Sequence, residues 1–145
     1  MNRDSRFGIS VVLSCALILV AGNAASHGDV TPQAVDVSTL KPLGDEMRDV
    51  NPYREDKAAV EVGTSAYNQN CARCHGLEAV SGGIAPDLRT LDLDPDTDVY
   101  YRNSVLAGKV RNGAVYMPPY AGILSQEAIW AIKAYLETRR ASLDN

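Results

Sequence analysis

The sequence lacks a hydrophobic run long enough to cross a membrane. Its longest apolar stretch covers residues 11–21, whereas a spanning helix needs about 20 residues. It also lacks an excess of basic residues, since the formal net charge is -4, and this disfavours binding to nucleic acid. No internal repeat is visible. These absences leave one small domain that does not span a membrane when mature and has no nucleic-acid partner.

The N-terminal residues have the pattern of an export signal. Two arginines precede the apolar run, and small residues follow it at positions 22–26. This pattern predicts a signal peptide over residues 1–26, cleaved after Ser26 or, as second choice, after Ala24, and therefore a periplasmic protein. A lipoprotein acylated at Cys15 is the alternative, which the apolar residues continuing beyond that cysteine disfavour.

Only two cysteines remain after this cleavage, and a histidine follows the second. Cys71, Cys74 and His75 form the spacing C-x-x-C-H, in which two thiols can form thioethers with a porphyrin while the imidazole binds its iron. The pattern predicts one covalent haem c. Among the alternatives, a thioredoxin-like dithiol needs a βαβ context and a zinc knuckle needs four ligands. A structural disulfide would leave the histidine unexplained.

The iron of such a haem has a sixth coordination position. A protein ligand there is typical of an electron carrier, whereas an open position is typical of an enzyme or a gas-binding protein. Met117 stands directly before two prolines that exclude a helix, and a thioether favours ferrous iron. We therefore predict His75 and Met117 as the two metal ligands. Met47 and His27 are the rival ligands. The carbonyl of Pro86 is the predicted acceptor for the second N–H of His75, because a ligating imidazole usually donates it to a fixed group.

The segment that follows the signal shows no sustained apolar period. Residues 27–55 contain several Pro and Gly residues, and they are predicted to form an extended N-terminal arm without an evident core stripe.

Helical patterns begin at residue 56 and define a domain over residues 56–145. The first helix is capped by Asp56 and runs into the first cysteine; the second covers about residues 97–107 and is stopped by Gly108; the last is capped by Ser125. The inner face of the last helix is predicted to carry Ile129, Ile132, Tyr135 and Leu136. The predicted class is all-α.

In this order of elements the chain resembles the class I cytochromes c over about residues 56–140. The residues that carry the resemblance are Gly63, Tyr67, Cys71, Cys74, His75, Pro86, Met117, Trp130 and Tyr135. The resemblance implies the class I cytochrome c fold around one covalent haem. Gly63 and Tyr67 are expected to let the first helix cross closely against Tyr135.

A narrower resemblance links the chain to the cytochromes c that accept electrons from pyrroloquinoline-quinone alcohol dehydrogenases. It is carried by residues 27–33, 51–54, 66–71 and 82–89. It implies a one-electron carrier, not an enzyme, between a quinoprotein alcohol dehydrogenase and a cytochrome oxidase or another cytochrome. Arg73, Lys109 and Arg111 are expected to surround an exposed haem edge. The alternatives are a haem enzyme or sensor with a displaceable Met117, and a haem module of another periplasmic oxidising complex.

Four aspartates alternate over residues 92–98, as at the start of a calcium loop. The sixth and twelfth positions are Thr97 and Asn103, where such a loop needs Gly and Glu. The segment is therefore predicted to be a solvated loop that caps a helix, with calcium binding as the alternative.

Overall fold

The computed structural model describes residues 31–140 and Leu143. The helices are α1 (Lys57–Asn70), α2 (Ala72–His75), α3 (Pro95–Ala107) and α4 (Gln126–Arg140), and the strands are β1 (Lys109–Arg111) and β2 (Ala114–Met117). Two short 3-10 turns, Leu77–Ala79 and Leu88–Thr90, lie between α2 and α3. The predicted all-α class is confirmed, with a small sheet as an addition. The predicted signal peptide, Cys15 and His27 lie outside the described residues.

Capping side chains set the helix boundaries. Asp56 accepts hydrogen bonds from two backbone N–H groups of the first turn of α1, as predicted. Helix α3 begins at Pro95 rather than Thr97, because Asp94 caps it and proline suits the first helical position. The Asp94 carboxylate accepts the Thr97 N–H at 2.9 Å. Gly108 ends α3 with a φ of 66°, a conformation that favours glycine.

Helices α1 and α4 cross in direct backbone contact. A Cβ placed on Gly63 would lie 1.9 Å from the carbonyl oxygen of Ala131, so only glycine allows this approach. One turn further along α1, the ring of Tyr67 packs on that of Tyr135, with centroids 5.1 Å apart. The close crossing predicted for these residues is confirmed.

Helix α4 is enclosed on all sides over residues 128–136, every one of which is buried. The sequence predicted an inner face of four residues, but Trp130 and Lys133 on other faces are also inaccessible. A helix buried all round needs neighbours on every side. Helix α1 is one neighbour, and the N-terminal arm supplies another. No helix in the part of the chain that the structure describes is long and apolar enough to cross a membrane.

The arm is extended, as predicted, but it belongs to the core. Leu40 and Tyr53 are 7% and 3% exposed, and the Leu43 N–H donates to the Glu127 carboxylate of α4 at 3.0 Å. The side-chain amide of Gln126 donates to two carbonyls of the arm. The arm has no core stripe, but single apolar side chains of it belong to the core, and the sequence did not predict them because they are scattered rather than at a regular period.

An ionic cluster ties the end of the arm to α3 and α4. Arg54 lies 2.8 Å from the Asp98 carboxylate and 3.3 Å from that of Glu137. Lys133 lies 3.1 Å from Asp98 and 3.0 Å from Glu137. Two positive and two negative groups balance here, which is what burial of Asp98 and Lys133 requires.

The acidic segment uses its carboxylates within the fold. Asp92 pairs with Arg140 at 2.8 Å, Asp94 caps α3, and Asp98 is buried in the ionic cluster. No group of three or more His, Cys, Asp or Glu side chains within residues 31–140 is arranged to hold a metal ion. The calcium alternative has no support, and the prediction of a solvated loop is wrong for Asp98.

The strands β1 and β2 form an antiparallel hairpin that was not predicted. Asn112 and Gly113 connect them with φ values of 51° and 77°, the two positive values that a type I′ turn requires. Val110 pairs with Val115 across the hairpin. Asn-Gly between two valines is a strong hairpin signal, and it was available in the sequence.

Candidate functional site

One cavity of about 380 Å³ receives all five predicted site residues: Cys71, Cys74, His75, Pro86 and Met117 line it together. They come from three separate parts of the chain, namely the end of α1 with α2, the loop before α3, and the end of β2. Met47, the rival ligand, does not line this cavity. The cavity thus brings together two thiols, an imidazole and a thioether.

The thiols are placed by the transition from α1 to α2. The Cys71 N–H donates to Tyr67 of α1 at 2.8 Å, and the His75 N–H donates to the Cys71 carbonyl at 3.0 Å. This short helical turn brings Cys71, Cys74 and His75 to one wall of the cavity. Both cysteines are free thiols in the structure. Burial, and secondarily Cys74, raise the pKa of Cys71 to about 12, so the thiol is protonated at neutral pH.

The imidazole of His75 is oriented by the loop that follows it. Its Nδ1 lies 2.8 Å from the carbonyl oxygen of Pro86. A carbonyl oxygen can only accept, so Nδ1 is the donor in this contact. The predicted contact is present, and the role of His75 as iron ligand stays a prediction.

Asp87 holds this loop in shape. Its carboxylate forms an ion pair with Arg89 at 2.7 Å and accepts the Arg89 N–H at 3.0 Å. The hydrogen bond from Arg89 is the main reason why the pKa of Asp87 is lowered to about 2. The carboxylate therefore stays ionised, and the adjoining Pro86 carbonyl is kept in position.

Met117, the other predicted iron ligand, is the last residue of β2. Its carbonyl oxygen is close to Gly108, where an added Cβ would lie 2.4 Å from it. The Tyr120 N–H donates to the Val105 carbonyl at 3.0 Å, which joins the segment after Met117 to α3. The hairpin and this bond fix both sides of the methionine.

Sequence reasoning missed much of the cavity wall. Tyr101 and Val105 face it from α3, Tyr120 from the segment after Met117, and Ile132 from α4. The sequence contains only weak indications of these residues. Tyr101 and Val105 are four residues apart, as on one face of a helix, and Tyr120 directly follows the two prolines.

Three exposed apolar side chains mark the mouth of the cavity. Ile84, Tyr100 and Tyr116 line it although each is more than half exposed. Lys109 also lines it, and its ammonium lies 4.9 Å from the centre of the Tyr100 ring. Arg111 is exposed at the other end of the same strand, β1. The opening is therefore apolar with positive charge beside it.

Comparison with known proteins identifies the family. Residues 58–136 match the family model described as "Cytochrome C oxidase, cbb3-type, subunit III". Cytochrome c550 of Pseudomonas aeruginosa is 57% identical over 142 residues, which cover 95% of this chain and 97% of that protein. The chain belongs to the cytochrome c family. This cytochrome is an electron-transfer protein, not an enzyme, and it carries a single covalent haem c.

Two further relatives place the cytochrome in a wider group. Cytochrome CL of Methylophaga aminisulfidivorans shares the fold, with a TM-score of 0.50, 19% identity and coverage of 73% of this chain and 77% of that one. The quinohemoprotein alcohol dehydrogenase ADH-IIG of Pseudomonas putida is 36% identical over 88 residues. That match covers 61% of this cytochrome but only 12% of the dehydrogenase.

The residues that line the cavity fit a covalent haem. Two thiols for the porphyrin edge, an imidazole with an oriented Nδ1 and a thioether sulfur all reach one cavity whose other walls are mainly apolar and aromatic. When bound, the haem supplies a one-electron redox centre. The protein supplies its attachment, its orientation and the exclusion of water from most of its surface.

Proposed function

We propose that this cytochrome is a periplasmic carrier that accepts single electrons from a quinoprotein alcohol dehydrogenase and passes them toward a cytochrome oxidase or another cytochrome. In this proposal Cys71 and Cys74 hold the haem as thioethers, His75 and Met117 ligate its iron, and Pro86 orients His75. The observation that carries the proposal is the meeting of these five side chains in one cavity.

The dehydrogenase partner is supported by the relative in which a similar segment forms part of a larger protein. That protein is a quinohemoprotein alcohol dehydrogenase, and 88 of its residues resemble this cytochrome. A module that serves such an enzyme within one chain can serve a related enzyme as a separate carrier. The proposal also includes export and the cleavage of residues 1–26. The mature protein then consists of the arm over residues 27–55 and the haem domain over residues 56–145.

Met117→Ala should retain covalent haem but lose the weak far-red absorption band of sulfur-ligated ferric iron. The reduction potential should fall by on the order of 0.1 V, a fraction of the range of about 0.8 V that axial ligands span, because the soft ligand that favours ferrous iron is gone. Absorption spectroscopy and potentiometry measure both effects. Met47→Ala is the matched control and should change neither, since Met47 does not line the cavity. The opposite pattern would make Met47 the ligand.

Reversing the charge of Lys109 and Arg111 to Glu should slow reduction by the dehydrogenase. Both side chains are exposed on β1, and Lys109 lines the cavity, so together they can steer an acidic partner. Steering of this kind changes association rates by a factor of about 10 to 1,000 and weakens as salt rises. Stopped-flow mixing with the reduced enzyme should show roughly a tenfold or larger loss at low salt, an altered salt dependence and an unchanged haem spectrum.

Lys41→Glu with Lys57→Glu is the matched control, because both lysines are exposed and neither lines the cavity. This variant should keep most of the rate. Equal losses in both double variants would remove Lys109 and Arg111 from the docking surface. If ascorbate reduced the cytochrome rapidly but no quinoprotein dehydrogenase from the same source did, the proposed partner would be wrong. The assignment as a haem protein would be unaffected.

A further inference from the structure

Tyr120 connects the segment that bears Met117 to the segment that bears the cysteines. Its hydroxyl donates to the carbonyl oxygen of Asn70 at 2.7 Å, in a buried position. Asn70 is the residue directly before Cys71. Tyr120 itself is 3% exposed and lines the haem cavity. One hydrogen bond therefore spans the two parts of the chain that are proposed to hold the haem.

The receiving end of this bond is held firmly. The Asn70 side chain accepts the Gln33 N–H of the arm at 2.7 Å and donates to the Ala66 carbonyl of α1 at 3.2 Å. Asn70 is 5% exposed. The Asn70 carbonyl thus belongs to a fixed part of the fold. A hydrogen bond to it therefore holds the Tyr120 hydroxyl in one position.

The donating end is stiff as well. Only Pro118 and Pro119 separate Met117 from Tyr120, and each proline fixes its own φ. The position of the tyrosine is therefore transmitted to the methionine. Burial is the main reason why the pKa of Tyr120 is raised to about 12, so the phenol is a neutral donor at ordinary pH.

We propose that Tyr120 is a positioning residue that holds Met117 at the haem iron, and that its hydroxyl sets how readily another ligand displaces the methionine. The inference rests on the proposed ligation by Met117. When a competing ligand moves Met117 away from the iron, the stiff Pro-Pro link displaces Tyr120 and breaks its bond to Asn70. Without the hydroxyl, displacement no longer has that cost.

The test is titration of the ferric protein with imidazole, which competes for the position of Met117. In Tyr120→Phe, half-saturation should occur at a roughly three- to tenfold lower imidazole concentration than in the wild type, the change that loss of one hydrogen bond produces. The far-red sulfur-to-iron band should still be present before imidazole is added.

Tyr53→Phe is the matched control. It removes a hydroxyl that donates to the Lys41 carbonyl from another buried tyrosine, but Tyr53 does not line the cavity. Its thermal unfolding midpoint should fall while its imidazole affinity stays at the wild-type value. An unchanged imidazole affinity in Tyr120→Phe, with a lowered midpoint, would show that Tyr120 is only part of the core and would overturn the inference.

Failure of this inference can be told from failure of the ligand assignment. If Met117→Ala keeps the far-red band, Met117 is not the ligand, and the inference falls with it. If Met117→Ala loses the band while Tyr120→Phe binds imidazole like the wild type, only the inference falls. Should Tyr120→Phe fail to mature, 3-fluorotyrosine placed at position 120 is the second test. Its hydroxyl is a stronger donor, so imidazole binding should weaken, and an unchanged affinity would overturn the inference.

Discussion

Replacing Cys71 and Cys74 together by alanine should leave a chain with no covalent haem. Each thioether forms by addition of a thiol across a porphyrin vinyl group, and the double variant has neither thiol. Only the proposed bonds from His75 and Met117 would then hold the iron, and acid breaks the bond from His75 by protonating the imidazole. Extraction of the purified variant with acidified acetone should remove all haem, whereas the wild-type protein should retain it.

Cys15→Ala is the matched control for this experiment. Cys15 lies in the predicted signal peptide, outside the described residues, and its replacement should leave covalent haem unchanged. Haem that survives extraction from the double variant at Cys71 and Cys74 would refute the attachment proposed for those two residues.

Gly63→Ala should lower the free energy of unfolding by about 3 kcal/mol, toward the upper end of the usual cost of overpacking. The added Cβ would lie 1.9 Å from a backbone oxygen of α4, and backbone cannot move aside as a flexible side chain can. The backbone of α1 or α4 must therefore shift at this crossing. The gain of up to about 1 kcal/mol in helix propensity offsets only part of this cost. Denaturant unfolding followed by circular dichroism measures the change.

Gly82→Ala serves as its control, because a Cβ at Gly82 meets nothing within 4 Å. Its stability should remain within about 0.5 kcal/mol of the wild type, as for other surface substitutions. Similar stability of Gly63→Ala and the wild type would mean that the two helices tolerate a wider spacing than the structure shows.

Local chemistry made much of the fold readable from the sequence. Asp56 and Gly108 act within a few residues of their own positions, so their capping roles need no knowledge of the rest of the chain. The C-x-x-C-H motif is local in the same sense. The close approach at Gly63 was predictable because Gly63 and Tyr67 lie one helical turn apart on the first helix and Tyr135 lies on the last. The hairpin at Asn112 was also readable, because Asn-Gly between two valines is a local signal.

Contacts between distant segments could not be read in this way. Leu40 and Tyr53 lie alone among polar residues, so no periodicity marks them as core. Asp98 and Lys133 look like ordinary surface charges until the fold brings them within 3.1 Å of each other. The hydrogen bond from Tyr120 to Asn70 joins positions 50 residues apart, so no local sequence pattern predicts it.

The burial of the arm also has a consequence for the order in which the protein is assembled. The arm is made before the rest of the described chain, yet Leu43 and Arg54 find their partners in α4, near the other end. Those contacts must wait until synthesis has passed Glu137, since native pairing over such separations requires both segments to be present. The contact of Gln33 with Asn70, next to the first thiol, needs only the arm and α1. The two ends of the arm can therefore be joined to the fold at different times, the end beside the attachment motif before the last helix exists and the end beside α4 only afterwards.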